Sequence, residues 1–225
     1  PKATQTWESC VFTSEDEIEF AKVLNKALKA EKLDTKLLVW DHNKERLFIR
    51  GSAGIESKEF VGAGFHWYSG DHFDAISLMR NTYPDSILLE TEFCRSIKED
   101  YVDSKYSNEY LNVIKHGGNG LIDWNLILDE NGGPYHNRKA GCDAVIKVNS
   151  MTNELNINSI YNEAWMFAHF IKPGAVSLYT SSFSEKVKAT AVRNPDGEYV
   201  INIINELQDI DVRVFIFDKF LTVPQ

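Results

Sequence analysis

Four short stretches of this chain carry side chains that can do chemistry just where an apolar run stops. Ile87-Leu88-Leu89-Glu90-Thr91-Glu92 opens on three large apolar residues after the turn signal Tyr83-Pro84-Asp85-Ser86, then presents carboxylates at Glu90 and Glu92. Lys36 to Asp41 ends in Asp41-His42-Asn43, Phe60 to Phe65 ends in His66-Trp67-Tyr68, and Leu121-Ile122 runs into Asp123-Trp124-Asn125. A continuous apolar run bounded by turn residues suits a strand buried on both faces. Polar and aromatic groups at the carboxyl ends of parallel strands are where βα folds place their active sites. Aromatic faces beside carboxylates and amides suit a sugar, whose ring faces stack and whose hydroxyls need hydrogen bonds. Cleaving an acetal also requires two carboxyl groups, one to meet the developing oxocarbenium and one to protonate the leaving oxygen. Glu90 and Glu92 compete for the first role, because a two-residue strand period puts both on one face.

The elements that must position these groups follow from the flanking residues. Thr13-Ser14-Glu15-Asp16-Glu17 places Ser14 three residues ahead of Glu17, a capping-box spacing, and Ile18, Ala21, Leu24 and Leu28 continue a helical period. Residues 45–59 are less regular. Strands are predicted at Lys36–Asp41, Phe60–Tyr68, Ile87–Glu92 and Leu121–Leu126. Helices are predicted at Asp71–Tyr83, Asn108–Lys115 and Tyr161–Ile171, the last two stopped by Gly117-Gly118 and Lys172-Pro173-Gly174. The glycines at Gly62 and Gly64 indicate close backbone packing or a bulge. Strands alternating with helices mean a parallel sheet wrapped by helices, either a barrel or an open doubly wound sheet. After Gly174 the texture changes. Ala175–Ser182, Val187–Arg193, Tyr199–Asn205 and Val212–Asp218 are β-rich with no helix between them, and Asn194-Pro195-Asp196-Gly197-Glu198 is a hairpin turn, so this part is antiparallel, most simply part of a β-sandwich.

Composition narrows the classes further. The 225 residues carry a formal net charge of −9, which argues against nucleic acid as a partner, since phosphate binding needs a basic face. No run of 18 apolar residues exists, so no transmembrane segment is expected. No strand is followed by Gly-x-Gly-x-x-Gly, and no Gly-x-x-x-x-Gly-Lys-Ser/Thr occurs, which removes the main support for dinucleotide or nucleoside triphosphate cofactors. Cys10, Cys94 and Cys142 are too few and scattered for a disulfide framework or a zinc site; His116, His136 and His169 lack ligand spacing, so neither metal nor cofactor is expected. There is no Asn-x-Ser/Thr glycosylation acceptor, and any targeting segment would lie upstream of Pro1.

The ordered set Thr-Trp-Glu-Ser-Cys (6–10), Trp-Asp-His-Asn (40–43), Phe-His-Trp-Tyr-Ser-Gly-Asp-His-Phe (65–73), Thr-Glu-Phe-Cys (91–94), Asp-Trp-Asn-Leu (123–126) and Gly-Gly-Pro (132–134) resembles glycoside hydrolase family 30 essentially end to end. That family of retaining enzymes includes glucosylceramidases, β-1,6-glucanases and β-xylosidases, so the resemblance implies carbohydrate or sphingolipid metabolism and a β-linked glycoside or glucan as substrate. It implies an α/β fold class: the C-terminal half of a (β/α)8 TIM barrel, strands five to eight, over residues 1–174, followed by antiparallel β-sandwich strands over 175–225. It makes Glu92, rather than Glu90, the nucleophile. Tyr68 and His66 match active-site positions beside it, Trp124 and Asn125 match sugar contacts, Asp41 and His42 line the pocket, and Trp7 sits in a loop that supplies an aromatic wall.

One departure matters. The family's acid/base is the glutamate of an Asn-Glu-Pro tripeptide, and Pro1 stands where that proline would fall, so the acid/base would precede the first residue. The expectation is a retaining β-glycosidase portion that needs its upstream half as a partner and is severely impaired alone, general acid–base help being worth ~10²–10⁴-fold. The alternatives are a non-catalytic carbohydrate-binding protein using the same aromatic cleft, and a fragment that assembles only with a partner chain.

Overall fold

The computed structural model describes residues 10–96, 104–135, 141–207 and 211–224. Helix α1 (Ser14–Ala30) leads into strand β1 (Leu38–Asn43), a 3-10 turn at Lys44–Arg46 and α2 (Leu47–Glu56). Then follow β2 (Gly62–His66), α3 (Phe73–Thr82), β3 (Ile87–Glu92), α4 (Lys105–Lys115) and the short β4 (Gly120–Leu121). β1 to β4 form one parallel sheet in sequence order, because each helix returns the chain to the same end of the sheet. In this sheet β1 and β4 are the outer strands.

The helices cover one face. Val39, Ala63, Phe65 and Leu88 of the sheet pack with Ala21, Leu47, Phe73, Ile76, Met79 and Val113 in a single cluster. Fully burying a side chain such as Leu88 or Ile76 stabilises by roughly 1.5–3 kcal/mol. α1 is capped by Thr13, whose Oγ1 accepts from the Asp16 amide at 3.1 Å while Asp16 Oδ2 accepts from the Thr13 amide at 3.0 Å. The capping box therefore lies one residue earlier than the Ser14–Glu17 pair expected, since Thr13 keeps the extended backbone a cap needs and Ser14 is already helical.

The irregular stretch expected at 45–59 is instead α2. Its glycines are packing devices rather than breakers: a Cβ at Gly54 would lie 2.5 Å from Val39 Cγ2, and one at Gly51 2.9 Å from Met79 Cε. Conversely, the strand expected over Leu121–Leu126 is only Gly120–Leu121. Beyond it the chain leaves the sheet, tied back by the Ile122 amide to Glu90 O and the Trp124 amide to Phe93 O.

Three β units follow. β5 (Ile127–Asp129), β6 (Ile146–Val148) and β7 (Leu155–Ile157) form a small mixed sheet, and α5 (Ile160–Ala168) leads out of it. β8 (Val176–Leu178), β9 (Val187–Arg193) and β10 (Tyr199–Asn205) form an antiparallel sheet, and β11 (Val212–Ile216) pairs with β12 (Lys219–Val223) as a hairpin. The β9–β10 turn closes as expected, with the Asn194 amide on Glu198 O and Gly197 at φ +89°. α4 joins the units. Its Val113 belongs to the main core, Tyr106 to a cluster with Trp67, Phe93, Val145 and Ile160, and Leu111 to one with Phe167 and Ile204 of the antiparallel sheet. Asn194, almost wholly buried, fastens the junction by donating from Nδ2 to Phe170 O at 2.9 Å and accepting from the Lys172 amide at 3.0 Å. Among the described residues no helix is long and apolar enough to cross a membrane.

Candidate active site

The site residues gather at the carboxyl end of the parallel sheet, and two irregularities of register decide which of them face each other. In β1, Trp40 pairs with Gly64 and His42 with Phe65, so Asp41 is an extra residue. In β3, Glu90 pairs with Phe65 and Glu92 with His66, so Thr91 is an extra residue. Each insertion is a bulge that re-aims the side chains beyond it.

The bulge in β3 separates the two rival glutamates. The strand period would put Glu90 and Glu92 on one face; the inserted Thr91 breaks that period. Glu90 lies with Leu88 on the helix side, fully buried near Glu109 of α4 and Lys44. Lys44 Nζ contacts Glu109 Oε1, and both side chains are almost entirely out of water. Burial, reinforced by the Glu109 charge and opposed by Lys44, pushes the Glu90 carboxyl up to about 10. Glu92 instead emerges beside Tyr68, whose hydroxyl donates to Glu92 Oε1 at 2.9 Å. Burial and then the Glu92 charge raise the Tyr68 phenol well above its usual range, so it stays a donor.

The remaining predicted residues extend from this pair. His66 Nε2 lies 3.4 Å from Asp41 Oδ1, the His66 ring meets Tyr68 edge-on at 6.1 Å, and His42 stacks on His66 at 6.1 Å and 12°. His42 Nδ1 accepts from the Asn43 amide at 2.8 Å, which leaves Nε2 as the protonated nitrogen of the neutral ring; burial, then the His66 charge, lower its pKa. Asp41 is held below the usual carboxylate range by its His66 contact first, against burial, with Thr91 helping. Thr91 Oγ1 donates to Asp41 Oδ1 at 2.5 Å. Asp41, His42, His66, Tyr68 and Glu92 are thus one connected set.

Trp124 and Asn125 follow β4 at the same end, and the Trp124 amide is bonded to Phe93 O, one residue past Glu92. The indole is 46% exposed and Tyr68 is 47% exposed, so the mouth is open rather than an enclosed hollow. The apolar concavity of about 330 Å³ lined by Phe12, Phe20, Leu24, Leu37, Trp40 and Phe60 lies under α1, away from Glu92. Trp7 lies outside the described residues.

Three participants were not foreseen. Thr91 was read only as part of a motif, Gly64 only as a sign of close packing or a bulge, and Asp123 only as one polar group among several at the mouth. Asp123, partly buried with Oδ1 unpartnered among the described residues, is pushed up to about 7 by burial. For Gly64 a signal existed in the glycine pair of β2; the bulges, however, fall in its neighbours.

Residues 2–171 match the glycosyl hydrolase family 30 TIM-barrel domain, and residues 174–224 match the glycosyl hydrolase family 30 beta sandwich domain. Lysosomal acid glucosylceramidase of Mus musculus is 27% identical over 93% of this chain and 44% of its own length. SrfJ from Salmonella typhimurium superposes with a TM-score of 0.89 at 32% identity, over 100% of this chain and 53% of that one. The endo-β1,6-glucanase BT3312 superposes with a TM-score of 0.81 at 24% identity, over 95% of this chain and 51% of that one, and so shares the fold. The chain spans about half the length of the relatives it matches. Matched along nearly all of its length by the family's two domains in order, the chain belongs to glycosyl hydrolase family 30.

Proposed function

We propose that this chain supplies the nucleophile side of a retaining β-glycosidase acting on β-glucosides, with Glu92 as the nucleophile. The observation that carries the reading is the Glu92 carboxylate at the carboxyl end of β3, held at Oε1 by Tyr68 while the rival Glu90 is withdrawn to the helix side. Residues 1–174 act as the partial catalytic barrel and residues 175–225 as β-sandwich strands. The glucosylceramidase name of a relative supports a β-glucoside as substrate.

The chemistry follows from the side chains present. With Oε1 tied to Tyr68, Oε2 is the oxygen left to attack the anomeric carbon. The glycosidic bond breaks as the ester to Glu92 forms, and the leaving oxygen takes the bonding pair and a proton from a second carboxyl group. Retention needs that group ~5–5.5 Å from Glu92. The same group then deprotonates the water that hydrolyses the ester. Trp124 offers an apolar face for the sugar ring, and His66, Asp41, His42 and Asn125 offer partners for its hydroxyls.

Glu92→Gln in the full-length protein tests the proposal. A hydrolase loses turnover of an aryl β-glucoside and retains binding of the sugar. A carbohydrate-binding protein without catalysis shows no turnover in the wild type, and unchanged turnover in the variant would remove Glu92 from the mechanism.

A further inference from the structure

The two bulges meet. Asp41, the inserted residue of β1, and Thr91, the inserted residue of β3, lie on either side of β2 and bond to each other across Gly64. Only a glycine leaves them room: a Cβ there would lie 2.8 Å from Asp41 Oδ1 and 3.2 Å from both Thr91 Oγ1 and Cγ2. The β1 bulge is strained, with Trp40 at φ +78° and Asp41 at φ +49°. Non-glycine residues hold such angles only where their surroundings over-determine them. Here the Trp40 amide donates to Glu17 Oε1 of α1 at 2.9 Å, its indole Nε1 donates to Asn43 O at 3.0 Å, and Asp41 is fastened to His66 and Thr91. Thr91 Oγ1 also lies 3.3 Å from Phe65 O, so its hydroxyl is pinned to β2 as well as to Asp41.

We propose that Thr91 and Asp41 are positioning residues for Glu92: their bond over Gly64 fixes the inserted residue of β3 and thereby the direction in which the Glu92 carboxylate leaves the strand. The inference rests on Glu92 being the nucleophile. Neither residue touches the reacting atoms in this scheme; each acts through the backbone on which Glu92 is carried. Without the bond the insertion is free to shift, and a relaxed β3 returns Glu92 toward the face now held by Glu90. A displacement on the order of 1 Å at a reacting group costs ~10²-fold in rate, so the loss should appear in the chemical step and not in sugar affinity.

The test uses a dinitrophenyl 2-deoxy-2-fluoro-β-glucoside with the full-length protein. Glu92 attacks C1, the C1–O bond breaks, and dinitrophenolate departs with the electron pair and without needing a proton, so the rate reports the nucleophile independently of any general acid. For Thr91→Val, which keeps shape and loses the hydroxyl, the rate constant at saturating probe should fall roughly 10–100-fold with half-saturation unchanged. Thr91→Ser should restore it to within a few-fold. Thr91→Ala, which also removes the hydroxyl and touches no sugar in this scheme, is the second variant, read in the same way if Thr91→Val does not fold. Wild-type-like labelling by folded Thr91→Val, or by folded Thr91→Ala where Thr91→Val does not fold, overturns the positioning role while leaving the nucleophile in place. An equal loss in Thr91→Ser and Thr91→Val also overturns it, because the hydroxyl is then not the agent. No label on Glu92 in the wild type overturns the nucleophile assignment and this inference with it.

Discussion

Replacing Lys44 by methionine should be among the most damaging single changes in the parallel sheet, although Lys44 touches none of the site residues above. The side chain is fully buried, with Nζ against Glu109 Oε1 and 4.1 Å from the centre of the Phe73 ring. Glu109 is only 4% exposed, and Glu90 behind it is held neutral, so the lysine ammonium is the counter-charge for one buried carboxylate. Breaking a buried pair by removing one partner costs about 3–5 kcal/mol, because the remaining charge stays out of water without compensation. Against a typical domain stability of roughly 5–15 kcal/mol that is a large fraction. Urea unfolding at pH 7, with the denaturant slope unchanged, should show this loss for Lys44→Met. The double variant Lys44→Met/Glu109→Gln should return to within about 1 kcal/mol of wild type, since removing both charges of a buried pair is commonly near neutral. A single-variant loss under about 1 kcal/mol, or a double variant no better than the single, would refute the reasoning.

Further outcomes follow from the same geometry. Glu90 has a folded pKa raised to about 10 from an ordinary 4.5, so its contribution to stability is fully present below pH ~4.5 and drains away as pH rises toward 10; Glu90→Gln should flatten that alkaline decline in thermal melts between pH 6 and pH 9, and an unchanged slope would contradict it. Gly64→Ala should destabilise by about 1–3 kcal/mol through overpacking, read by urea unfolding, because the new methyl meets Asp41 and Thr91 at 2.8–3.2 Å. Tyr68→Phe should slow formation of a Glu92 glycosyl ester by about tenfold, the loss of roughly 1.4 kcal/mol for a hydrogen bond to a charged group, with little change in melting temperature; an unchanged rate would remove Tyr68 from the site.

What the sequence shows and hides can be traced to particular residues. Ile87–Glu92 is legible to the residue, because an apolar run sits between a Pro-Asp turn and polar residues. β9 and β10 are equally legible, since a hairpin turn fixes their ends. α2 was hidden because Gly51 and Gly54 look like breakers, whereas they let a helix approach Val39 and Met79. β4 was overextended because Ile122 and Leu126 continue an apolar pattern after the backbone has left the sheet; both are more than half exposed. At the candidate site, the motifs single out Glu92, Tyr68, His66 and Asp41, which the structure brings together at one end of the sheet, but not how they face. A period of two puts Glu90 beside Glu92, and no local residue announces that Thr91 is an insertion; the insertion is set by pairing with β2. Lys44 gave no signal at all, because a lysine after a strand is ordinarily exposed, and only the distant Glu109 makes its burial tolerable.

The central claim is that Glu92 attacks a sugar, and peptide mass spectrometry after incubation of the full-length protein with a 2-deoxy-2-fluoro-β-glucoside measures it most directly. The account predicts a single fluoroglucosyl adduct on the peptide carrying Glu92, absent from Glu92→Gln. No adduct, or an adduct on Glu90 or another residue, would contradict it.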